Sequence, residues 1–240
     1  MVDEKPVVVV IPTYNEARNI AKTIEAVLDT RLKNVRVLVV DDGSPDGTGQ
    51  IVADLSAKNP RILLHNRGAK KGLGSAYYEG FLIALKHDPE VVVSMDADGS
   101  HPADLIPDLV EAVKSGADAA VASRYVFGGK WAAGFWRMIV SRGANFLARI
   151  ATGAKIHDVT SGFRAYSSRA VQHLVTKPFE RGYVFQVELL HRLVRGGFRV
   201  VEIPFVFVQR REGKSKLSSR EILRFFIWCV KILVKRVFGG

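Results

Sequence analysis

The chain has 240 residues, 48% of them hydrophobic and 25% charged, which excludes a disordered or fibrous protein and is enough for one large core. Its single cysteine, Cys229, excludes an intramolecular disulfide framework and a cysteine-based zinc site, and favours a reducing compartment. There are 35 lysines and arginines against 24 acidic residues, and the net charge of +11 predicts an anionic partner: nucleic acid, a phosphorylated substrate or a membrane surface.

The apolar runs are too short or too interrupted for a signal peptide or a spanning helix. The first, residues 7–11, is shorter than the core of a signal peptide. The last, residues 222–238, is interrupted by four basic residues: Arg224, Lys231, Lys235 and Arg236. We therefore expect a chain that can touch a membrane without crossing it.

Apolar, β-branched runs alternate with amphipathic segments through the first half of the chain. The predicted strands cover residues 7–11, 35–40, 61–65, 91–95 and 117–123. The predicted helices cover residues 15–28, 47–57, 75–86 and 102–114. Because the strands are continuously apolar, the pattern predicts an α/β fold with a mostly parallel, Rossmann-like sheet and helices on both faces.

The second half of the chain is less regular. The predicted helices cover residues 135–152, 185–195 and 219–237, and one strand is predicted at residues 199–208. The connecting segments are predicted to be a loop at residues 125–134, a polar turn leading into a short strand or loop at residues 158–166, and a basic loop at residues 209–218. With no repeat or linker in view, we expect one domain over residues 1–218 and a C-terminal amphipathic helix over residues 219–240.

Polar clusters follow three of the predicted strands, at residues 13–16, 41–44 and 96–101. Ligands of parallel sheets bind beyond the carboxyl ends of the strands, so we expect the clusters to share one edge and build one site. Asp96 and Asp98 are spaced so that both carboxylates can reach one hard divalent cation, which keeps positions for substrate phosphates. The alternative is a solvated acidic turn that caps the next helix.

The first two clusters supply candidate nucleotide contacts. Tyr14 could stack on a base, and Glu16 could accept hydrogen bonds from ribose or base donors. The alternative is that Asn15 caps the next helix and Glu16 favours its dipole. Asp42 is a candidate for binding ribose hydroxyls or base nitrogens, or else belongs to a plain turn.

Cationic groups lie on the segments beyond the sheet. Residues 70–76, Lys-Lys-Gly-Leu-Gly-Ser-Ala, resemble a phosphate cradle without matching either common glycine motif. Arg124 follows the fifth strand, Arg137 and Ser141 are one helical turn apart, and residues 209–218 are strongly basic. These groups form either a solvated face or a set of phosphate ligands.

Together these motifs resemble those of the family-2 glycosyltransferases of the GT-A fold, and more narrowly those of the polyprenyl-phosphate (dolichol-phosphate) mannose synthases. Ile-Pro-Thr-Tyr-Asn-Glu from Ile11 and Met-Asp-Ala-Asp from Met95 mark the broad family. Ser-Arg-Gly-Ala-Asn from Ser141 and Asp-Val-Thr-Ser-Gly-Phe-Arg from Asp158 mark the narrower branch. The matching motifs span residues 11–216, nearly the whole chain.

The resemblance implies an inverting transfer of mannose from GDP-mannose to a polyprenyl (dolichyl) monophosphate, with Mg²⁺ or Mn²⁺ as cofactor, in a GT-A catalytic domain of residues 1–218. It implies nucleotide-sugar contacts at Pro12, Tyr14, Glu16, Val40, Asp42, Asp96, Ala97, Asp98, Arg210 and Lys216. The implied metal ligands are Asp96, Asp98 and Ser100. The implied contacts of the acceptor phosphate are Arg124, Arg137 and Ser141, and the implied catalytic residues are Asp98, Arg124 and Arg137.

One departure from the family pattern concerns the metal. Related enzymes commonly have Asp-Ala-Asp-Leu-Gln-His, in which the Gln assists the metal, whereas this chain has Asp-Ala-Asp-Gly-Ser-His. Because Ser100 is shorter than Gln, water or His101 could take over its contact.

The implied acceptor needs no general base, because a phosphate monoester is substantially dianionic at neutral pH and is already a nucleophile. The site must instead hold two anions together and stabilise the charge that develops on the leaving nucleotide. This chemistry requires many cations and no catalytic histidine. We therefore expect His101, His157 and His191 to be structural.

Two other functions remain open. A polyprenyl-phosphate glucose or N-acetylhexosamine synthase that uses a UDP-sugar would share the fold, and competition by GDP against UDP distinguishes it. A non-catalytic module that binds a membrane surface or nucleic acid would account for the net charge, but not for paired acids at strand ends. We therefore expect no nucleic-acid partner.

The C-terminal helix places four basic residues, Arg220, Arg224, Lys231 and Lys235, within an arc of about 60° on a broad apolar body. This pattern is typical of a helix that lies in the headgroup region of a membrane. It predicts a cytoplasmic protein held peripherally on the cytoplasmic face of a membrane. The alternatives are packing of the helix on the catalytic domain and docking to a separate membrane subunit.

Overall fold

The structure, a computed structural model, describes residues 4–132, 135–208 and 219–238. The strands are Val7–Thr13 (β1), Val35–Asp41 (β2), Ile62–Asn66 (β3), Val91–Ser94 (β4), Ala119–Ser123 (β5), Lys130–Ala132 (β6), Arg164–Ser167 (β7), Val200–Pro204 (β8) and Val206–Val208 (β9). The helices are Ile20–Leu28 (α1), Thr48–Lys58 (α2), Leu73–Leu85 (α3), Ile106–Lys114 (α4), Phe135–Thr152 (α5), Ser168–Leu174 (α6), Val184–Arg195 (α7) and Ser219–Phe238 (α8).

Seven strands form one sheet in the order β3-β2-β1-β4-β7-β5-β8, and β6 pairs with β9 in a separate ribbon. Neighbours in the main sheet are parallel except at β7, which runs antiparallel to β4 and β5. The predicted α/β fold with a mostly parallel sheet is confirmed. Because β1 lies between β2 and β4, the segments that follow these three strands emerge at the same edge.

Alternate residues of the central strands pack into two separate layers, because successive side chains of a strand point to opposite faces of the sheet. Val7, Val9 and Ile11 join a core cluster with α1, α2 and α4. Val8 and Val10 join a second cluster with α3, α6 and α7. Both layers exclude water, which explains why these strands are apolar at consecutive positions.

Gly80 allows α3 to pack directly on β1 and β2. A Cβ added there would lie 2.5 Å from Val10 Cγ1 and 3.1 Å from Val40 Cγ2. We expect Gly80→Ala to lower the free energy of unfolding by about 1–3 kcal/mol, because overpacking against two stiff valines outweighs the roughly 1 kcal/mol that alanine gains over glycine in a helix. Urea unfolding midpoints measure the change.

The matched control for this prediction is Gly143→Ala in α5. A Cβ added at Gly143 would meet nothing within 4 Å, so the same substitution should stabilise the protein there through helix propensity alone. A Gly80→Ala protein that is as stable as the parent would contradict the packing of α3 on the sheet.

The predicted start of the first helix is wrong, because α1 begins at Ile20 and not at residue 15. Asn15 adopts a positive φ of 59°. The amides of residues 15–17 donate to side chains between β2 and the start of α2, including Thr48 Oγ1 at 2.9 Å and Asp46 Oδ2 at 3.0 Å. Asn15 is therefore not a helix cap, and this segment is fastened to the neighbouring loop instead.

The single strand predicted over residues 199–208 is two strands that separate at Phe205. The Phe205 amide donates to the Ser123 carbonyl, and its own carbonyl accepts from the Lys130 amide, so the chain passes here from the main sheet to the ribbon. β6 lies inside the segment predicted as a loop. The sequence also does not predict α6, a helix of 7 residues that is too short to show an apolar period.

The C-terminal helix α8 packs on α5 and α7. Its Trp228 and Cys229 are buried in a third apolar cluster, which includes Val121 of β5 and Val187 of α7. The four residues of the predicted basic stripe are exposed. One face of α8 therefore belongs to the core while the stripe faces solvent. No helix within the described ranges is both long enough and apolar enough to cross a membrane.

Candidate active site

The polar segments that follow β1, β2 and β4 meet in one cleft of about 360 Å³ at the carboxyl edge of the sheet. Parallel pairing of β1 with both β2 and β4 aligns the three strand ends. The predicted nucleotide-sugar contacts that line the cleft are Pro12, Tyr14, Glu16, Asp42, Asp96, Ala97 and Asp98. The structure thus brings the three clusters together as the sequence predicts.

The two carboxylates after β4 differ in their surroundings. Asp98 is only 6% exposed, and its Oδ1 accepts hydrogen bonds from the amide (3.0 Å) and the hydroxyl (2.6 Å) of Ser100. Oδ1 of Asp96 lies 3.4 Å from the hydroxyl of Tyr77. Burial, and then the charge of Asp96, raises the pKa of Tyr77 well above its ordinary value, so this phenol stays a neutral donor beneath the carboxylates.

His101 holds the turn that carries these carboxylates. Its Nδ1 accepts a hydrogen bond of 2.9 Å from the Asp96 amide, and its ring stacks on Phe163 with centroids 4.9 Å apart. Neither His101 nor His157 nor His191 is among the described residues that line the cleft. His101 therefore supports this turn, and the structural roles expected of His157 and His191 stay predictions.

Asp42 is held by a buried ionic network. The Arg67 side chain is fully buried and donates from Nη1 to Asp42 Oδ1, while the Gly72 amide donates to Oδ2 at 3.0 Å. Nε and Nη2 of Arg67 each donate to Glu79 at 3.1 Å. Burial alone would raise the pKa of Glu79, but hydrogen bonds from Arg67 and His65 outweigh it and hold that pKa below its ordinary value. Asp42 therefore enters the cleft as an oriented carboxylate.

The glycine loop before α3 contributes a cation to the cleft. Nζ of Lys70 lies 4.0 Å from the centre of the Tyr14 ring, and both residues line the cleft. The Gly72 amide is already bonded to Asp42. This amide is therefore engaged with Asp42, unlike the amides of a phosphate cradle, which point at the anion.

Three other predicted contacts lie apart from the described lining of the cleft. Val40 is fully buried in the core, so its side chain does not line the cleft. Arg124 donates to both carboxylate oxygens of the buried Asp158 at 2.7 Å. Ser141 Oγ accepts a hydrogen bond of 2.8 Å from the Tyr125 hydroxyl. The Asp158 carboxylate compensates the positive charge of Arg124. Arg124 therefore offers a ligand oriented hydrogen-bond donors more than net positive charge.

The remaining predicted contacts lie outside the described part of the structure. Arg137 falls in the first turn of α5, where the side chain is outside the described residues. Arg210 and Lys216 lie outside the described residues, as does the whole basic loop 209–218.

The far wall of the cleft comes from segments that the sequence does not mark. Gly182 and Tyr183 precede α7, and Glu221 lies in the first turn of α8. Oε2 of Glu221 accepts from the Tyr183 amide at 3.1 Å, and Oε1 pairs with Arg224 at 2.9 Å. An acidic residue is favourable in the first turn of any helix, so only the folded chain identifies this one as part of a cleft.

Comparison with known proteins assigns the family. Residues 8–175 match the model of glycosyl transferase family 2. The polyprenol monophosphomannose synthase of Mycolicibacterium smegmatis is 42% identical over 217 residues, which cover 89% of this chain and 82% of that protein. The undecaprenyl-phosphate mannosyltransferase of Micrococcus luteus is 40% identical over 217 residues, with 89% and 88% covered. The dolichol-phosphate mannosyltransferase of Pyrococcus furiosus is 40% identical over 226 residues, with 90% and 60% covered.

Among solved structures, the glucosyl-3-phosphoglycerate synthase of Mycobacterium tuberculosis has a similar fold. Its complex with Mn²⁺, UDP and glucosyl-3-phosphoglycerate gives a TM-score of 0.69 at 20% identity, covering 97% of this chain and 80% of that one. Its complex with Mg²⁺ and UDP gives 0.66 at 22% identity, covering 97% and 79%. At this identity the likeness supports the GT-A-like fold alone. The family match over residues 8–175 and the relatives at 40–42% identity show that the chain belongs to glycosyl transferase family 2.

Proposed function

We propose that the protein is an inverting glycosyltransferase that moves mannose from GDP-mannose to a polyprenyl (dolichyl) monophosphate. The observation that carries this proposal is that Tyr14, Glu16 and Asp42 share one cleft with Asp96 and Asp98. An aromatic ring and oriented carboxylates can bind a nucleoside, while the acidic pair can hold a cation against its diphosphate. Relatives named for mannose transfer to polyprenol, undecaprenol and dolichol phosphates support the sugar and the acceptor class.

Asp96 and Asp98 fit a resident Mg²⁺ or Mn²⁺. A protein typically supplies only one or two carboxylates to such a cation, because water and substrate phosphates are its other ligands. The described residues contain no group of three or more acidic, histidine or cysteine ligands. When bound, the cation would neutralise charge on the leaving nucleotide diphosphate. Since the Ser100 hydroxyl donates to Asp98, we assign Ser100 to orienting that carboxylate.

The acceptor phosphate is its own nucleophile, so the chain needs only to position it and offset its charge. Arg124, Arg137 and Ser141 remain the proposed contacts for this phosphate. Asp158 fixes the direction of the Arg124 guanidinium through two bonds of 2.7 Å, which suits a planar donor that must meet a phosphate at one angle. Arg210 and Lys216 remain proposed contacts of the donor.

We also propose that the enzyme lies peripherally on the cytoplasmic face of a membrane. Leu223, Phe226 and Ile227 of α8 are 52–59% exposed, beside the basic stripe. Large apolar side chains that open to solvent next to cations are typical of an interfacial helix. A separate membrane subunit is the alternative occupant of this surface. Because the other face of α8 is core, substitutions on the exposed face test this proposal better than truncation does.

Competition between nucleotides tests the base and the donor. Inhibition of transfer by GDP at concentrations where UDP has no effect would support a GDP-sugar donor. Stronger inhibition by UDP, together with transfer from UDP-glucose or a UDP-N-acetylhexosamine, would assign the protein to the alternative class of synthase.

Glu221→Ala should weaken GDP binding by about threefold to tenfold, because it removes the acceptor that holds the Tyr183 amide at the wall of the cleft. Glu221→Gln retains an acceptor oxygen and should bind GDP nearly as well as the parent. Isothermal titration with GDP and Mn²⁺ measures both variants. Glu25→Ala, at an exposed glutamate of α1, is the matched control. An unchanged affinity in Glu221→Ala would exclude this wall from nucleotide binding.

A further inference from the structure

A second pocket, of about 180 Å³, lies beside α5 and shares no lining residue with the cleft. Its described lining residues are Tyr125, Arg142, Asn145, Phe146, Arg149 and His157. None of the contacts assigned above to nucleotide, metal or acceptor lines it. The pocket is therefore a candidate site for a ligand other than these.

Two arginines give this pocket a positive charge, and no carboxylate of the described residues pairs with either of them. Within residues 4–132, 135–208 and 219–238, neither Arg142 nor Arg149 forms an ion pair or a side-chain hydrogen bond. Glu202 neighbours His157, but its oxygens accept from the amides of His157 and Asp158 at 2.9 Å and lie 2.8 Å from His157 Nδ1. The Glu202 carboxylate therefore bonds to His157 and Asp158 and not to the arginines. The two arginines can accordingly bind an anion from outside the chain.

The floor of the pocket is held by side-chain hydrogen bonds. Asn145 is 4% exposed and donates to the Ser141 carbonyl at 2.9 Å and to Thr160 Oγ1 at 3.0 Å. The Tyr125 hydroxyl donates to Ser141 Oγ at 2.8 Å. The bonds to Thr160 and from Tyr125 tie α5 to the loops behind it, so the arginines project from a supported helix.

The arginines flank an exposed apolar strip on the same helix. Arg142, Phe146 and Arg149 stand at i, i+4 and i+7, and so share one face of α5. Phe146 is 66% exposed, and Ile139 and Ile150 continue the strip at 42% and 43% exposure. An anion that binds here is therefore next to a surface that favours an apolar phase.

We propose that Arg142 and Arg149 bind the phosphate of an anionic membrane phospholipid, while Phe146 enters the acyl region beside it. The two arginines are about 10 Å apart along the helix, which lets them hold one headgroup between them or two adjacent ones. Guanidinium groups suit this role because they form paired hydrogen bonds to phosphate oxygens. The inference deepens the proposed membrane location and rests on it, but not on the sugar or the nucleotide.

Flotation of the full chain with vesicles tests the inference. On vesicles of phosphatidylglycerol and phosphatidylcholine, the double variant Arg142→Gln/Arg149→Gln should partition about thirtyfold less than the parent. On pure phosphatidylcholine, whose phosphate is paired with a choline cation, the double variant should lose much less. The control Lys58→Gln/Arg61→Gln removes two exposed charges beside β3, at the opposite edge of the sheet, and should lose less than about threefold. Phe146→Ser should weaken binding to both kinds of vesicle.

Two results would overturn the proposal. One is equal binding of the double variant and its control to anionic vesicles. The other is unchanged vesicle binding with a raised KM for polyprenyl phosphate, which would assign the pocket to the acceptor. Unchanged GDP affinity shows that the double variant is folded. Since flotation uses no donor, a parent protein that binds vesicles but transfers no mannose would contradict the proposed function and leave this inference standing.

Discussion

Asp98→Asn should lower mannose transfer by about a thousandfold or more at limiting metal. The substitution preserves the shape of the side chain and an oxygen for the two hydrogen bonds from Ser100, but removes the charge that a divalent cation requires. The loss should be largest at low Mn²⁺ and should shrink as the metal is raised. Initial rates across a metal titration measure it, together with GDP affinity at each concentration.

Asp104→Asn is the matched control for this variant. Asp104 is exposed, lies six positions further along the same segment and does not line the cleft. It should leave both the rate and the metal dependence unchanged. Turnover of Asp98→Asn that stays near the parent value at limiting Mn²⁺ would remove Asp98 from the metal site.

Arg67→Met should destabilise the fold by about 3–5 kcal/mol, because it leaves Asp42 and Glu79 without their shared buried partner. GDP affinity should fall as well, since Asp42 would no longer be held in one orientation. Arg61→Met, at an exposed arginine just before β3, should change neither quantity. Urea unfolding followed by GDP titration measures both effects. A stable Arg67→Met protein with normal GDP affinity would contradict the role of the network.

The same network predicts how stability depends on pH. The pKa of Glu79 is held below its ordinary value of 4.5, so the stabilisation from its pairing is present above that value and is lost as the pH falls through the lower, folded-state pKa. In Arg67→Met this pKa should rise. The contribution of Glu79 to the acid limb should then shrink, so the stability of Arg67→Met, already lower at neutral pH, should fall less steeply below pH 4.5 than that of the parent protein.

The location of the site could be predicted from the sequence because it depends on local patterns. Continuous apolar runs define buried parallel strands, and the polar residues that follow such strands must meet at one edge. Asp96 and Asp98 were identifiable for this reason. Arg67 and Glu79 were not, because in sequence they resemble a basic loop residue and an exposed helical acid. Only the fold brings the residue that follows β3 next to α3 and so pairs them.

The order of the strands could not be derived from local patterns either. β7 inserts antiparallel between β4 and β5, and nothing in its four residues specifies that pairing. The break at Phe205 has the same origin, since it depends on a hydrogen bond to the Ser123 carbonyl. Long-range backbone pairing decided both features.

The C-terminal helix shows a further limit of sequence patterns. Core contact and membrane contact both require apolar side chains, so hydrophobicity alone cannot divide the faces of α8. In the structure, the two faces of α8 differ in whether their side chains contact the rest of the domain. Trp228 and Cys229 are buried against β5, α5 and α7, whereas Phe226 and Ile227 are more than half exposed. Two of the predicted roles for this helix, packing on the domain and lying on a membrane, therefore use different faces.

The most direct test of the central claim is incubation of the full chain with radiolabelled GDP-mannose, Mn²⁺ and polyprenyl phosphate, followed by partition into organic solvent. We expect label in the organic phase only when all three are present, and none after chelation of the metal. Label that stays in the aqueous phase under every condition, or that enters the organic phase only from a UDP-sugar, would contradict the central claim.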